Sequence, residues 1–433
     1  MIGSVLGLLA CTSGGDSGLG REDTRVSCAL DEANGLRASC QVNLPNVAEA
    51  VLTVSADGEP SRSFMSPEAS EHSVTAWGLL PDTAYEWTVA GKSGTFQTRA
   101  LPSELDALEI EVTGAPSGFD ALLQSLPCGG SDWFVMFDGD GRVVWLQEVA
   151  EYGVEGRGYE WVPESKTLMM ATKTMFMELT IDGREVMRLE QGTHFDDEIH
   201  HDMSRWGPYT YVLMEYVEDG KNVDRVDVYE HTAPLGSWHI TETYDVLSNP
   251  NSGGDEWSHG NGLNVTADGQ AIFSSLSFSS VVAFDADPAS ATFLEHQWLA
   301  NGTADGLPNP DYTPLSPSAG FQKQHAAHRV GDELFLFDNT GDGIKSRAVR
   351  LELTHERNGL SMLEEWVMGG SCRAQGGAYP LDNGGMVATC APTGDVWAFV
   401  GGDSDPVWTL NAWCTDAEDG PIRFPKGVPI TIR

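Results

Sequence analysis

Residues 138–145 read DGDGRVVW, a turn rich in glycine and aspartate followed by a short apolar strand that a tryptophan closes. The same ending recurs at residues 295–298 (EHQW), 364–366 (EEW) and 405–408 (DPVW). Asp-Gly and Asn-Gly pairs, which favour hairpin turns, punctuate the chain between these endings. From about residue 127 onward almost no amphipathic helical period is present. The pattern therefore predicts a repeat of short antiparallel strands.

The repeat divides this part of the chain into six units, which begin near residues 132, 155, 198, 255, 321 and 371. Units of roughly 40–50 residues with four short strands each are typical of β-propellers. We predict an all-β protein with a six-bladed β-propeller over residues 127–414 as its catalytic or ligand-binding domain. A solenoid is the alternative, and a disulfide joining the two ends of the repeat region would favour the closed ring.

Residues 26–100 predict a small β-sandwich domain ahead of the propeller, because residues 51–55 and 85–89 alternate apolar and polar side chains. Leu80, Pro81, Thr83 and Tyr85 resemble the turn that introduces the penultimate strand of fibronectin type III-like modules. The resemblance covers this one segment and implies architecture only.

The N-terminus predicts export. Residues 1–11 (MIGSVLGLLAC) have the form of a lipoprotein signal in which Cys11 is acylated, and residues 12–25 have the composition of a flexible tether. An ordinary secretion signal or a mis-set start is the alternative, since no Lys or Arg precedes the apolar run. The prediction is a protein lipid-anchored in the cell envelope or periplasmic, with no other contact to a membrane.

The cysteine pattern predicts disulfides. Besides Cys11 the chain has six cysteines, and an even number in an exported chain favours disulfide bonds. Fifteen connectivities are open, of which we predict 28–40, 372–390 and 128–414. No two cysteines have the CxxC spacing of structural zinc sites, and we predict no resident metal or cofactor.

The composition excludes one class of partner. With 64 acidic and 25 basic side chains the net charge is −39, a field that repels nucleic acids and anionic lipid surfaces. A site for a small anion must therefore carry its own local donors.

Aligning the units places polar residues at one phase, just ahead of or at the first strand of four consecutive units: His201, His259, His325 and Gln375. In a propeller the first strand of each blade lines the central channel, so these residues should converge on the axis. His328 follows three residues after His325, and strand alternation predicts a structural role for it. Two chemistries fit such a site.

One is a metal site of His201, His259 and His325 with Asp202 nearby. The other is an anion site, which needs N–H donors and a fixed cation.

Several motifs resemble those of bacterial arylsulfate sulfotransferases. They are the W-x-H-x-N stretch at 257–261 followed by Ser274-Ser275, the Gln324-His325 pair followed by residues 336–339 (LFDN), the His200-His201-Asp202 group, and residues 134–145 as the first repeat. The resemblance extends over residues 127–412. It implies an exported six-bladed propeller that transfers a sulfuryl group from an aryl sulfate to a phenol through a sulfohistidine, without the nucleotide donor PAPS.

The resemblance also implies roles. His325 would be the nucleophile, while His259, Asn261 and His201 would contact sulfate oxygens or handle the phenolic proton, and Gln375 would join them in binding substrate. Where the family has an arginine after Ser-Ser, this chain has Leu276-Ser277.

Lys173 or Arg373 could supply the missing cation. The alternative is a non-catalytic propeller that binds a ligand or partner.

Overall fold

The computed structural model describes residues 24–32, 34–149, 156–244, 255–339, 345–370, 372, 374–415 and 426–431. Cys11, Arg373, the predicted signal and nearly all of the predicted tether lie outside the described residues. The structure is almost entirely β, and its chain divides into two compact units. Helix in the described part is limited to α1 (Ile240–Thr243) and the 3-10 turns Ser103–Leu105, Pro317–Ala319, His355–Arg357 and Ala391–Thr393. None of these described helices has the length and apolarity needed to cross a membrane.

The smaller unit contains one antiparallel sheet of five strands: β1 (Arg25–Leu30), β2 (Ala38–Ser55), β3 (Arg62–Ala76), β4 (Ala84–Val89) and β5 (Lys92–Gln97). Bulges between Asn43 and Ala50 interrupt the pairing of β2 with β3. On its other edge, β2 pairs with β1 before this bend and with β4 after it. The sheet thus bends over its own buried side chains and brings β1 into contact with β5, and one bent sheet forms the predicted small β-domain.

The larger unit is a ring of six sheets, which are the blades of the propeller: four have four antiparallel strands, and two have a fifth strand on the outer edge. It starts with β6 (Leu108–Gly114). Blade 1 follows with β7 (Ala121–Cys128), β8 (Ser131–Asp138) and β9 (Val143–Glu148), and blade 2 has β10 (Gly156–Val162), β11 (Thr167–Thr172), β12 (Met175–Thr180) and β13 (Glu185–Glu190). Blade 3 has β14 (Glu198–Trp206), β15 (Tyr209–Glu218), β16 (Lys221–Glu230) and β17 (Ala233–His239).

Blade 4 has β18 (Gly260–Val265), β19 (Gln270–Ser275), β20 (Ser280–Asp285) and β21 (His296–Asn301), and the short strand β22 (Thr313–Pro314) follows it. Blade 5 has β23 (His325–Val330), β24 (Glu333–Asp338), β25 (Arg347–Thr354) and β26 (Gly359–Val367). Blade 6 has β27 (Gly377–Pro380), β28 (Met386–Cys390), β29 (Asp395–Phe399) and β30 (Trp408–Cys414), and the last strand is β31 (Val428–Ile430). Contacts run in succession from β31 through β10, β14, β18 and β23 to β27. These strands are therefore the inner strands around the axis.

Both chain ends close the ring. β31 pairs with β7 and is the inner strand of blade 1, while β6 pairs with β30 on the outer edge of blade 6. A disulfide between Cys128 and Cys414 joins the same two blades. The expectation that unit 1 starts at its own first strand near residue 132 was therefore wrong, because β31 and β7 lie between β8 and the axis. The blades accordingly extend beyond the predicted range 127–414 at both ends.

The remaining repeat signals have a physical reason in contacts between blades. Trp145, Trp366 and Trp408 lie on the outer strands β9, β26 and β30, and each indole N–H donates at 2.9 Å to a turn carbonyl of the following blade, at Ile181, Asp403 and Gly139 respectively. The aspartate turns need no ion: the carboxylate of Asp138 accepts the backbone N–H groups of Asp140 and Arg142. The other two disulfides are Cys28–Cys40 and Cys372–Cys390, so all three predicted pairings are confirmed.

Candidate functional site

The inner strands share a backbone irregularity near their start. Register shifts occur at Gly156/Gly158 in β10, Ile199/Met203 in β14, Gly260/Gly262 in β18 and His325/His328 in β23. Non-glycine residues adopt positive φ at the same level, namely His201 (60°), His259 (41°), Ala326 (47°) and Gln375 (56°). Such a φ is uncommon for a side chain with a Cβ and tends to be retained at functional sites. Three of the four positions that the repeat phase selected, His201, His259 and Gln375, therefore have a strained backbone, whereas in blade 5 the strain falls on Ala326, the residue after His325.

A small open cavity of about 30 Å³ lies at this end of the channel. Its lining includes four of the predicted residues: His201, Asn261, His325 and Gln375. His259 is outside the lining, but its ring centroid lies 5.4 Å from that of His201. The structure thus gathers blades 3 to 6 around one cavity.

Lys173 does not line the cavity, which corrects its prediction as the missing cation. It follows β11, the second strand of its blade, and its ammonium lies 3.4 Å from the Glu198 carboxylate with both side chains well exposed to solvent. Leu276 and Ser277 hold the backbone of the neighbouring turn: the Leu276 N–H donates to the His259 carbonyl at 3.1 Å, and the Ser277 hydroxyl to the Glu256 carbonyl at 2.9 Å.

Two cations that the sequence analysis missed, Arg157 and Lys426, line the cavity instead. Arg157 lies on the inner strand of blade 2, beside the bulge. Lys426 lies two residues before the strand β31 that closes the ring, and its ammonium pairs with the buried carboxylate of Asp202. That carboxylate also accepts the N–H groups of Met203 and Leu263 at 2.9 and 2.8 Å. Asp202 is thus a link between inner strands rather than the metal ligand considered from the sequence.

His325 is held in a single orientation. Its Nδ1 donates to Asn339 Oδ1 at 2.7 Å and to the Lys323 carbonyl at 3.2 Å. Both partners are acceptors in this geometry, so Nδ1 carries the proton and Nε2 carries the lone pair. Nε2 makes no hydrogen bond to any described residue. Burial lowers the pKa of His325 to about 4, against the opposing hydrogen bond to Asn339. The imidazole is therefore neutral, with its nucleophilic nitrogen available.

Asn339 is fixed in turn by its amide nitrogen, which donates to the carbonyl oxygens of Cys372 and Gln375 at 2.7 and 2.8 Å. Those two bonds decide which amide atom faces His325, since only the nitrogen can donate to a carbonyl. Cys372 is bonded to Cys390 at the end of β28. A covalent link in blade 6 thus supports the orientation of a side chain in blade 5.

Gln324, the residue before His325, links blade 5 to blade 4 through hydrogen bonds. Its buried amide nitrogen lies 3.0 Å from three oxygens of blade 4: the hydroxyl of Ser274 and the carbonyls of Ser275 and Ser280. Its backbone carbonyl accepts from Asn261 Nδ2 at 2.6 Å. Asn261 consequently presents Oδ1, which has no hydrogen-bond partner among the described residues. This side chain thus offers an acceptor, which fits the predicted handling of the phenolic proton and not a contact to sulfate oxygens.

His200, His201 and His259 form a cluster beside the cavity. His200 Nδ1 bonds Asp224 Oδ1 at 2.7 Å, and although burial opposes protonation, that carboxylate raises the pKa of His200. Burial, followed by the nearness of His200 and His259, holds the pKa of His201 well below its ordinary value. Burial and His200 likewise lower the pKa of His259. One imidazole of the cluster thus favours a positive charge and two favour the neutral form.

His328 does not line the cavity. Its ring contacts that of Tyr379 in the next blade, with centroids 4.7 Å apart, and burial lowers its pKa to about 3. A neutral ring packed between two inner strands agrees with the structural role predicted for it.

No protein-family model matches this sequence, and no curated protein matches it either. Similar solved structures include a protein of unknown function from Bacteroides caccae (14% identity, 70% of this chain and 93% of that chain covered, TM-score 0.41) and the WD40 domain of Toxoplasma gondii coronin (8% identity, 71% and 76% covered, TM-score 0.38). Virginiamycin B lyase from Staphylococcus aureus is another (11% identity, 87% and 99% covered, TM-score 0.35). At these values the likeness says nothing about chemistry, and the sheet topology described above establishes the propeller.

Proposed function

We propose that the protein is a PAPS-independent arylsulfate sulfotransferase, with His325 as the nucleophile that carries the sulfuryl group. The observation that supports it best is the orientation of His325: a neutral imidazole whose Nδ1 is occupied by Asn339 and whose Nε2 has no partner among the described residues. A nucleophile needs an accessible lone pair, and burial together with this hydrogen bond supplies one at neutral pH.

The anionic donor needs positive charge in the cavity, which the protein as a whole does not provide. Arg157 and Lys426 line it together with His325. A guanidinium and an ammonium can each donate charge-assisted hydrogen bonds to sulfate oxygens, whose negative charge stays high throughout the transfer. These two side chains take the place that the missing family arginine, here Leu276, leaves open.

The proposed reaction has two half-reactions. In the first, a bond forms between His325 Nε2 and sulfur while the bond from sulfur to the aryl oxygen breaks, and the donor leaves as a phenolate. The positive charge that develops on the ring is stabilised at Nδ1 by the oxygens of Asn339 and Lys323. In the second, a phenol oxygen attacks sulfur, the nitrogen–sulfur bond breaks, and the phenolic proton is taken up by a neutral base or water.

The acceptor phenol has two candidate partners in the cavity. Asn261 Oδ1 can accept the hydrogen bond of the phenol hydroxyl, since the described residues provide it with no other donor. The imidazole of His201, which its lowered pKa keeps neutral, can accept a hydrogen bond from the same hydroxyl. The proposal also places the protein outside the cytoplasm, where its three disulfides are stable, with a lipid on Cys11 as anchor.

Incubation with a chromogenic aryl sulfate and a phenol tests the proposal. We expect release of the chromogenic phenol, formation of the sulfated acceptor, and a sulfate group on His325 in peptide mass spectrometry when the acceptor is omitted. His325→Ala should abolish both turnover and labelling, whereas His231→Ala, at an exposed hairpin residue, should change neither.

The competing function is a propeller that binds without catalysis. Tight binding of the aryl sulfate with no product and no labelled histidine, over several donors and acceptors, would replace the proposed transferase by that function.

A further inference from the structure

The histidine cluster has a geometry of its own, which the proposed nucleophile does not share. The ring centroids of His200 and His201 lie 4.3 Å apart, and that of His259 lies 5.3 and 5.4 Å from them. One ligand nitrogen from each residue lies within 4.8 Å of the other two. Nitrogens bound to one tetrahedral zinc ion at about 2.05 Å stand about 3.3 Å apart. Each nitrogen therefore has to move by less than about 1 Å, which small side-chain rotations provide.

Carboxylates orient two of the three rings from behind. His200 Nδ1 contacts Asp224 Oδ1 at 2.7 Å, and His259 Nδ1 contacts Glu256 Oε2 at 3.3 Å. Histidines that bind metals almost always donate their second N–H to a carboxylate or carbonyl, which leaves the other nitrogen for the ion. The ring of His201 makes no hydrogen bond to a described residue. All three residues thus have a nitrogen to offer.

The charge around the cluster favours a cation. Asp224 is buried, and the Ser258 hydroxyl and the Gly260 N–H each donate to its Oδ2 at 2.6 Å. Glu215 Oε2 lies 3.8 Å from His200 Nδ1. Together with Glu256, three acidic side chains thus lie around the three imidazoles.

Two of these residues, in neighbouring blades, have strained backbone conformations. His201 and His259 both adopt positive φ, at 60° and 41°. For a residue with a Cβ such a conformation costs on the order of 1 kcal/mol or more. Here it turns side chains from two different blades towards a third residue, His200. Ala326 and Gln375 have the same conformation in blades 5 and 6, so the strain belongs to the repeated bulge of the inner strands, and the ring geometry carries the inference.

We propose that His200, His201 and His259 bind one divalent transition-metal ion, with Zn²⁺ as the principal candidate. Three neutral imidazoles suit zinc, copper or nickel, whereas calcium and magnesium prefer oxygen ligands. Three protein ligands leave the fourth position of zinc to water or a ligand. His201 also lines the cavity, so a molecule bound there can reach the ion.

The metal site stands apart from sulfuryl transfer. It also differs from the set expected from the sequence, because His200 takes the place of His325 in the group. If both proposals hold, the ion rather than a free His201 contacts the bound ligand, and the acceptor's proton goes to water.

Metal titration of the full chain, stripped with a chelator and dialysed, tests the site. We expect one equivalent of Zn²⁺ by calorimetry and elemental analysis, and visible d–d absorption of tetrahedral type with Co²⁺. His259→Gln, at a partly exposed ligand, and His200→Gln should each weaken binding by more than about 100-fold, since a change behind a ligand alone costs about 10–100-fold. Asp224→Asn should cost that smaller amount, with folding checked by circular dichroism.

Two further variants separate the proposals. His325→Ala should keep full metal affinity while losing any transferase activity, and His231→Ala should keep both. Wild-type affinity no higher than that of His259→Gln would overturn the metal site. Loss of the ion in His325→Ala would also overturn it, by assigning the ion to a different ligand set.

Discussion

Asn339 Oδ1 accepts the Nδ1–H of His325 at 2.7 Å, and this one contact decides which nitrogen of the ring faces the cavity. Asn339 cannot turn over, because its own amide nitrogen donates to two carbonyl groups. The proposed nucleophile is therefore oriented by a neutral side chain, which leaves the imidazole uncharged.

Removing that contact should slow the proposed transfer without removing the nucleophile. In Asn339→Ala the ring can rotate and change tautomer, and we expect kcat/KM with an aryl sulfate to fall by about 10- to 100-fold, the usual cost of losing an orienting partner. Asn411→Ala, on the outer strand of blade 6, is the matched control and should match wild type. Unchanged kcat/KM in Asn339→Ala, with an intact fold, would show that the contact does not orient a reacting group.

The pH dependence should follow from the burial of His325. Burial disfavours the charged imidazolium, so the pKa lies near 4 and the ring is neutral above that value. At pH 5.5 about 97% of the rings would be neutral, against about 9% for an ordinary histidine. We expect the acid limb of kcat/KM near pH 4, measured where circular dichroism shows the native fold. In Asn339→Asp the new carboxylate should move that limb to higher pH, and a wild-type limb near 6.5 would contradict the assignment.

Arg157→Gln should weaken the binding of the anionic donor. A charge-assisted hydrogen bond contributes about 1.5–3 kcal/mol, so we expect kcat/KM to fall by about 10- to 100-fold. Most of the effect should be on KM, because the sulfate is charged both before and during the transfer. Steady-state kinetics with one donor and several salt concentrations would measure it. Lys173→Gln is the control, since Lys173 lies outside the cavity lining, and equal effects in the two variants would mean that only net charge matters.

Opening the ring should destabilise the propeller. The disulfide Cys128–Cys414 closes a sequence separation of 286 residues, so the double variant with serine at both positions should lose about 2–4 kcal/mol. Calorimetry should show the main transition several degrees lower. Replacing Cys28 and Cys40, separated by 12 residues in the other unit, should leave that transition in place. A main transition that does not move in the first variant would mean that β6 and β31 hold the ring closed without the disulfide.

The sequence predicted those parts of the fold that depend on short, local patterns of residues. Glycine and aspartate recur in the hairpin turns, and Trp145, Trp366 and Trp408 recur on outer strands, where each indole N–H donates a hydrogen bond to the following blade. Their spacing therefore located blades 2 to 6, whose inner strands begin at residues 156, 198, 260, 325 and 377.

The sequence did not show which residues from distant segments the ring brings together. β31 is three residues long and contains a proline. It is too short to show an alternation of apolar and polar residues, so the inner strand of blade 1 was not predicted. The same closure brings Lys426 into the cavity, and Arg157 lies beside a bulge that no residue pattern marks. Both cations were missed for that reason. His200 was seen only as a neighbour of His201, because a regular strand would turn the two side chains to opposite faces, and the bulge there brings their rings together.

The repeated bulge has a consequence for how such a protein can change its chemistry. Each of blades 2 to 5 makes the kink in the pairing of its own first two strands, so the kink of one blade does not depend on the next blade. A single substitution at the kink exchanges one group at the axis and leaves the strand pairing of that blade intact. New specificities can therefore arise one blade at a time, by point mutation, on an unaltered scaffold.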